Sequence, residues 1–287
     1  MRIVSLIASA TEIVHALGLG DFQVGRSHEC DYPPGVLSLP VCTAPVFDTH
    51  GNSREIDQRV KETLATAESV YQVFDDVLER LEPTHIVTQT QCQVCAVSLS
   101  DVERALSARF TTRPEVVALE PNSLADIFKD IIRLANACGV DGQPLVDRIQ
   151  TEMREIAATA RATKRSPRVL NLEWQEPLMV AGNWIPELTE MLGAESLLHT
   201  PIQWHDVLNA DPDVVVCMPC GYDLERTRAE MHWHDWEQLR APVYLTDGNQ
   251  YMTRPGPRIA KSLRILAEIL YPESFEPTLE GLGWEKF

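Results

Sequence analysis

The sequence lacks the features that mark membrane-spanning and nucleic-acid-binding proteins. No run of apolar residues approaches the roughly 18 that a transmembrane helix needs. No basic block occurs, and the formal net charge of the 287-residue chain is −17. Binding to nucleic acid and insertion into a membrane are therefore not expected. Aromatic residues are few, at 7%, while 44% of the residues are hydrophobic and 23% charged, which is typical of a globular protein with a sizeable core.

The sequence also lacks the short motifs of several enzyme classes. It contains no G-x-S-x-G, no P-loop and no G-x-G-x-x-G. Hydrolases, nucleoside triphosphatases and dinucleotide-binding enzymes usually carry these motifs. No pair of carboxylates stands out for acid–base catalysis either. We therefore expect a protein that is not an enzyme.

The amino terminus shows no secretory signal pattern. Met1 and Arg2 lead directly into an apolar, strand-like run at 3–7, and polar Ser9 follows before an h-region is complete. This pattern predicts a cytoplasmic protein. In a reducing compartment the seven cysteines are expected to be mostly thiols, with metal or redox roles rather than structural disulfides.

Short apolar runs alternate with helical patterns along the chain, as in parallel-sheet α/β proteins. Strands are expected at 2–7, 23–26, 84–89 and 115–119, and again at 167–172, 213–218 and 243–247. Two amphipathic helices are expected between these two groups of strands. The second has Pro144 in its first turn and is about 30 Å long. The sequence predicts two Rossmann-like α/β lobes, 1–122 and 167–287, bridged by one long helix within 123–166, with a ligand cleft between the lobes.

Local signals predict where several helices begin and end. Ser9 and Glu12 have the spacing of a capping box and predict the start of the first helix, which Gly18 is expected to end. Two further helices are expected in the last part of the chain, at 185–192 and 261–270.

Two Cys-x-x-Cys motifs follow strands, Cys92/Cys95 in the first lobe and Cys217/Cys220 in the second. Ligands of open α/β sheets bind outside the carboxyl ends of the strands. Thiolate pairs can hold zinc or iron, but these pairs lie much farther apart in sequence than those of compact zinc sites. A shared site therefore requires that both lobes present their cysteines to one cleft. Redox-active dithiols and buried thiols that only pack remain the alternatives.

Other candidate site residues also follow strands. Ser27, His28 and Cys30 come after the strand at 23–26, where they either supplement a metal site or form a polar loop. Trp174 ends a strand and Trp184 begins a helix. Tryptophans at a cleft suit a large, partly apolar ligand, although tryptophan is as often a core residue.

Several segments together resemble one protein family. They are RIVSL at 2–6, SATE at 9–12, GRS at 25–27, DYPP at 31–34 and RPGPR at 254–258. They resemble the class III substrate-binding proteins of ABC transporters, of the cobalamin- and iron-siderophore-binding type. The resemblance extends over nearly the whole chain and implies two lobes, a backbone helix and non-catalytic binding of a metal chelate or corrinoid.

The chain departs from this family in four respects. It shows no export signal, it carries cysteine pairs, and its segment 51–80 looks expanded. The family docks one acidic residue of each lobe on its transporter. Asp76 is the counterpart in the first lobe, but His205 takes this place in the second. These departures point to a cytoplasmic relative for which docking to a transporter is doubtful.

The leading hypothesis is a non-catalytic protein that binds a cobalamin-like metal chelate between its lobes. The alternative is a cytosolic thiol-based metal-binding or redox protein that uses Cys92/Cys95 and Cys217/Cys220, whose thiolates would hold zinc or iron in the metal-binding case. The residues expected to contact the ligand are Ser27, His28, Cys30, Gln89, Trp174, Trp184, Asp247 and Arg254. The residues expected to ligate metal are Cys92, Cys95, Cys217 and Cys220.

Overall fold

The computed structural model describes residues 1–66, 69–90, 97, 101–105, 113–199 and 201–287. The chain forms two compact units, one of Met1–Gly51 with Gln58–Asp147 and one of Asn52–Asp57 with Arg148–Phe287. The second unit therefore includes a short segment from the early part of the chain. The predicted lobe limits at 122 and 167 stay predictions. Within the described ranges, no helix is long and apolar enough to cross a membrane.

The first unit is built on a parallel sheet. Its strands are β1 (Ile3–Ser5), β2 (Gln23–Arg26), β3 (Thr43–Pro45), β4 (Tyr71–Val73), β5 (His85–Gln89) and β6 (Glu115–Leu119). Strands β2, β1, β5 and β6 lie side by side in this order and run parallel, while β3 and β4 form an antiparallel pair. Val4 and Ile86 are fully buried among other apolar side chains, as expected for a sheet that is covered on its faces. The four strands predicted in this part are confirmed.

The helices of this part of the chain follow the predicted apolar stripes. They are α1 (Ala8–Ala16), α2 (Ser53–Thr66), α3 (Asp75–Leu81) and α4 (Leu124–Ala137). The hydroxyl of Ser123 accepts a hydrogen bond from the Asp126 amide and so caps α4, whose Ile127 and Ile131 are fully buried. The predicted stripe is therefore the packed face of α4.

The capping box predicted for the first helix is wrong. The chain turns from β1 into α1 so directly that Ser9 already has helical backbone, and the N-cap position falls on Ile7, which gives no side-chain cap. The Ser9 hydroxyl is buried and has no hydrogen-bond partner. The predicted end of α1 is confirmed, since Gly18 has the positive φ of +77° that terminates helices.

The long helix of the sequence analysis is α5 (Gln143–Ala162), with 20 residues. Pro144 lies in its first turn, and Ile149 and Met153 are buried on one face. The chain passes from the first unit to the second within this helix, between Asp147 and Arg148.

The second unit is built on a mixed sheet. Its strands are β7 (Arg168–Trp174), β8 (Met179–Val180), β9 (Glu195–Ser196), β10 (Val214–Cys217), β11 (Val243–Thr246) and β12 (Trp284–Lys286). Strands β7, β10 and β11 run parallel in the centre, with antiparallel β8 and β12 at the edges. The carboxyl ends of the three central strands therefore lie at one edge, which we call the carboxyl edge.

Four helices accompany this sheet: α6 (Trp184–Met191), α7 (Trp204–Ala210), α8 (Leu224–Ala229) and α9 (Ile259–Leu270). The helices predicted at 185–192 and 261–270 are confirmed. A π-helical turn, Gly248–Met252, follows the end of β11. Such turns are frequent at functional sites.

Candidate functional site

In the first unit, the loop after β2 holds a buried thiol in a hydrogen-bonded network. The Thr11 hydroxyl donates to Cys30 Sγ at 3.0 Å, and Ser27 Oγ lies 3.3 Å from the same sulfur. Burial raises the pKa of the Cys30 thiol despite these hydrogen bonds. Cys30 is therefore a protonated thiol that anchors the loop, and not a ready thiolate ligand.

His28 lies in the same loop and is only partly buried. Its Nδ1 lies 2.8 Å from Thr43 Oγ1, and its ring lies 5.5 Å from that of Tyr71. Burial and the nearby Arg26 charge both lower the pKa of His28. The imidazole is thus held neutral at physiological pH, which is the form that accepts hydrogen bonds and ligates metals.

Near the carboxyl ends of β1 and β5, three buried polar atoms have no hydrogen-bond partner among the described residues. They are Ser5 Oγ, Ser9 Oγ and Gln89 Nε2. Ser5 pairs with Val87, so Ser5 and Gln89 lie on the same face of the sheet. Buried polar groups are nearly always satisfied, so unsatisfied ones indicate a place for water or ligand atoms. The sequence analysis identified Gln89 but missed the two serines, because it assigned Ser9 to a cap.

In the second unit, Trp174 lies at the carboxyl end of β7 and is half-buried. Its indole N–H donates to the carbonyls of Glu176 at 3.1 Å and Ser53 at 3.3 Å. Its ring packs 5.2 Å from that of Tyr222, and the Arg226 guanidinium lies 3.9 Å from the centre of the Tyr222 ring. Trp184 is more deeply buried, at 5% exposure, and donates to the Met252 carbonyl at 3.2 Å.

Asp247 and Arg254 flank the π-helical turn. Asp247 Oδ1 accepts from the Gln250 amide at 2.7 Å, and Arg254 Nη2 donates to Asn249 Oδ1 at 2.9 Å. Both side chains are buried, and burial raises the pKa of Asp247. The turn therefore holds a carboxyl and a guanidinium group close to the carboxyl edge.

Glu173 is a polar group of the carboxyl edge that the sequence analysis missed. Burial raises the pKa of its carboxyl group, and the Gly182 amide donates to it at 3.4 Å. Glu173 lies where the pairing of β7 with β8 shifts register, between Leu172 and Trp174, so it is the extra residue of an irregularity in the strand. The next loop contains Asn183 at φ +53° and ψ −121°, a region that favours glycine.

Among the described residues, the cysteines of the second unit are not grouped with further metal-ligating side chains. Cys217 is fully buried in an apolar cluster with Leu170 and Leu245, and burial raises the pKa of its thiol to about 12. Cys220 is partly exposed, and neither thiol is in a disulfide. In the part of the chain that the structure describes, no group of three His, Cys, Asp or Glu side chains is placed to hold a metal ion. The prediction of zinc or iron on Cys217 thiolate is therefore not supported.

Cys92 and Cys95 lie outside the described residues. Their predicted role, and their predicted proximity to Cys217 and Cys220, stay predictions.

Comparison with known proteins places these features in context. No family model matches the chain. An uncharacterized ABC transporter substrate-binding lipoprotein of Bacillus subtilis, YvrC, is 22% identical, over 96% of this chain and 81% of its own length. The vitamin B12-binding protein of Photorhabdus laumondii is 24% identical, over 94% of this chain and 88% of its own. Among solved structures, a periplasmic heme-binding protein from Pseudomonas aeruginosa superposes with a TM-score of 0.70 and 20% identity, over 95% of this chain and 93% of its own.

These relatives correct one prediction and confirm another. The predicted cytoplasmic location is wrong, because one relative is named a lipoprotein and the solved structure is named periplasmic. The amino-terminal residues alone were therefore a poor guide to location. The predicted architecture is confirmed: the chain has the mixed α/β, two-lobed fold of class III substrate-binding proteins.

Proposed function

We propose that this protein binds a metal chelate of the corrinoid or tetrapyrrole kind and releases it chemically unchanged. The observation that carries the proposal is the half-buried Trp174 ring at the carboxyl edge of the second unit. It packs 5.2 Å from the buried Tyr222 ring, and the Tyr222 carbonyl accepts a hydrogen bond at 3.0 Å from Asn249, in the π-helical turn that Asp247 and Arg254 flank. Aromatic faces with a few fixed polar groups are what a large, flat, partly apolar ligand requires. A vitamin B12-binding relative and a heme-binding structure with this fold support the same ligand class.

The first unit offers groups suited to the ligand's polar periphery and its metal. The buried Gln89 amide, whose Nε2 has no partner within the described part of the chain, suits amide or carboxylate oxygens. His28, kept neutral by burial, is the residue in the described ranges that we propose as a donor to the chelated metal. Ser27, Cys30 and Trp184 act in this proposal by fixing the surrounding loops: Ser27 Oγ lies 3.3 Å from Cys30 Sγ, and the Trp184 indole donates to the Met252 carbonyl.

We infer an ABC importer as the delivery partner, because the Bacillus relative is named as part of such a transporter. Asp76 lies in the first turn of α3 and pairs with Arg80. His205, which raised doubt about docking, is exposed in the first turn of α7 with the Asp206 carboxylate 3.2 Å away. Each of these two helical turns therefore presents a carboxylate at or beside the position that corresponds to the family's docking residue.

Equilibrium dialysis against hydroxocobalamin and, separately, hemin tests the proposal. We expect a dissociation constant in the micromolar range or below for one of the probes, with quenching of tryptophan fluorescence. Trp174→Phe should weaken binding roughly tenfold, because it removes indole area and its anchored N–H group. Trp236→Phe is the matched control, since Trp236 packs on Phe287 and donates to Met231. Retention of neither probe would refute the proposal.

A further inference from the structure

A short segment, Asn52–Asp57, belongs to the second unit although it precedes that unit by some 90 residues. Glu230 fastens it. One carboxylate oxygen of Glu230, Oε2, accepts hydrogen bonds from the Ser53 amide at 2.9 Å and from the Trp233 indole at 2.7 Å. Glu230 is only 5% exposed, so these bonds replace the water that a carboxylate otherwise requires.

Ser53 in turn holds Trp174. The Ser53 carbonyl accepts from the Trp174 indole N–H at 3.3 Å, and Ser53 itself is fully buried. A line of hydrogen bonds therefore runs from Glu230 through residue 53 to the indole ring at the carboxyl edge.

The segment is held firmly enough that the contact with Glu230 fixes the backbone of residue 53. Asn52 and Glu55 form a reciprocal capping box at the start of α2: the Glu55 amide donates to Asn52 Oδ1 at 3.0 Å, and the Asn52 amide donates to Glu55 Oε2 at 3.1 Å. Arg54 pairs with Glu176 at 3.2 Å and lies 4.6 Å from the centre of the Trp233 ring. Residue 53 is thus an ordered first turn of a helix rather than a loose loop.

We propose that Glu230 is a positioning residue for Trp174. By fixing the backbone of residue 53, it sets the orientation of the indole that stacks on the ligand. This inference rests on the proposed function, in which Trp174 contacts the ligand.

The first experiment observes Trp174 directly, in the absence of ligand. The protein is labelled with 5-fluorotryptophan, and the fluorine resonances are assigned with single Trp→Phe variants. In Glu230→Ala, the resonances of Trp233 and Trp174 should both shift, whereas Glu225→Gln, which removes an exposed charge on α8, should shift neither. A shift of Trp233 alone would overturn the proposal, because Glu230 would then hold only its neighbour.

The second experiment measures affinity for hydroxocobalamin and hemin by equilibrium dialysis. Glu230→Ala should weaken binding of the retained probe roughly tenfold, the scale of one lost charge-assisted hydrogen bond. Glu230→Gln retains an acceptor oxygen and should recover most of that loss. Trp233→Phe removes the second donor but retains the Ser53 bond, so it should bind as the unaltered protein does.

The variants distinguish a loss of folding from a loss of ligand binding. If Glu230→Ala unfolds, as shown by loss of its thermal transition, Glu230→Asp and Trp233→Phe still decide the matter. Glu230→Asp shortens the side chain and withdraws the carboxylate from the Ser53 amide, so the proposal requires the Trp174 resonance to move in Glu230→Asp and to stay in Trp233→Phe. If the unaltered protein retains neither probe, the proposed function fails while the fluorine shifts still test the positioning. If it binds a probe and Glu230→Ala binds equally well, the positioning is refuted.

Discussion

Asp130, on α4, has a carboxylate that is buried against the end of β6. It accepts a hydrogen bond from the Glu120 amide at 2.7 Å and pairs with Arg133 at 3.0 Å, and it is only 2% exposed. Burial nevertheless dominates and raises the pKa of Asp130 to about 6. Its ionised form is therefore disfavoured in the folded protein relative to the unfolded chain.

The pH dependence of stability follows from this shift. Between about pH 4 and pH 6 the folded state binds more protons at Asp130 than the unfolded state does, so this contribution to stability falls as the pH rises. Compared with Asp130→Asn, the free energy of unfolding of the unaltered protein should fall by on the order of 2 kcal/mol from pH 4 to pH 7. Urea denaturation of both proteins across this range measures the difference. A difference that does not change with pH would contradict the argument.

Single residues also show which features of the candidate site can be predicted from the sequence and which cannot. The positions of Trp174 and Asp247 at strand ends were predictable, because Trp174 is the last residue of β7, Asp247 directly follows β11, and strand ends are visible in the apolar pattern. Ser53 was not, because its contact with Trp174 joins positions 121 apart in the chain. Cys217 misled the analysis, since its spacing to Cys220 suggested a ligand whereas its side chain is part of the apolar core.

At the scale of elements, α9 holds the carboxyl terminus through one buried carboxylate. Glu268 is 1% exposed and accepts hydrogen bonds from the Trp284 indole at 2.8 Å, the Thr278 hydroxyl at 2.7 Å and the Leu279 amide at 3.1 Å. Burial alone would raise the pKa of Glu268, but hydrogen bonds from Thr278, Arg264 and Trp284 together outweigh it and lower the pKa. The stabilisation is present above the ordinary glutamate pKa and is lost as the pH falls through the lowered value.

Replacing Glu268 should therefore loosen the last segment of the chain. Glu268→Gln replaces one acceptor oxygen with an NH₂ group that faces other hydrogen-bond donors. We expect it to lower the free energy of unfolding by about 2–4 kcal/mol. Hydrogen exchange should quicken at 278–286, including β12. Glu273→Gln is the control, because its exposed partner Arg165 can turn to water, and its melting temperature should not change. Unchanged exchange at 278–286 in Glu268→Gln would show that β12 is held by its strand pairing alone.

Helices and strands were more predictable than their ends. The stripe of α4 and the alternation of apolar runs with helices are repeated signals that survive single exceptions. The start of α1 depends instead on how tightly the chain turns after Ser5, which propensity does not encode. Tertiary geometry, rather than the Ser9–Glu12 spacing, therefore determines which residue occupies the N-cap position of α1.

At the scale of the whole molecule, the fold followed from periodicity, whereas the assignment of Asn52–Asp57 to the second unit did not. The pattern of apolar residues reports which faces are buried, and it does not report which unit a half-exposed helix such as α2 begins on. That information comes only from long-range contacts, here those of Ser53 with Glu230 and Trp174.

The net charge of −17 changes the rate at which a charged ligand associates with the protein, wherever the ligand binds. A strongly acidic protein repels a porphyrin dicarboxylate at low ionic strength, and salt screens this repulsion over a Debye length of about 10 Å at 0.1 M. An uncharged corrinoid experiences no such force. Stopped-flow fluorescence should therefore show that the association rate constant of hemin rises severalfold between about 0.01 M and 0.2 M sodium chloride, while that of cyanocobalamin stays constant. A hemin rate constant that falls as salt is added would mean that local positive charges such as Arg254, rather than the net charge, govern the encounter, and equal salt dependence for the two probes would contradict an electrostatic origin.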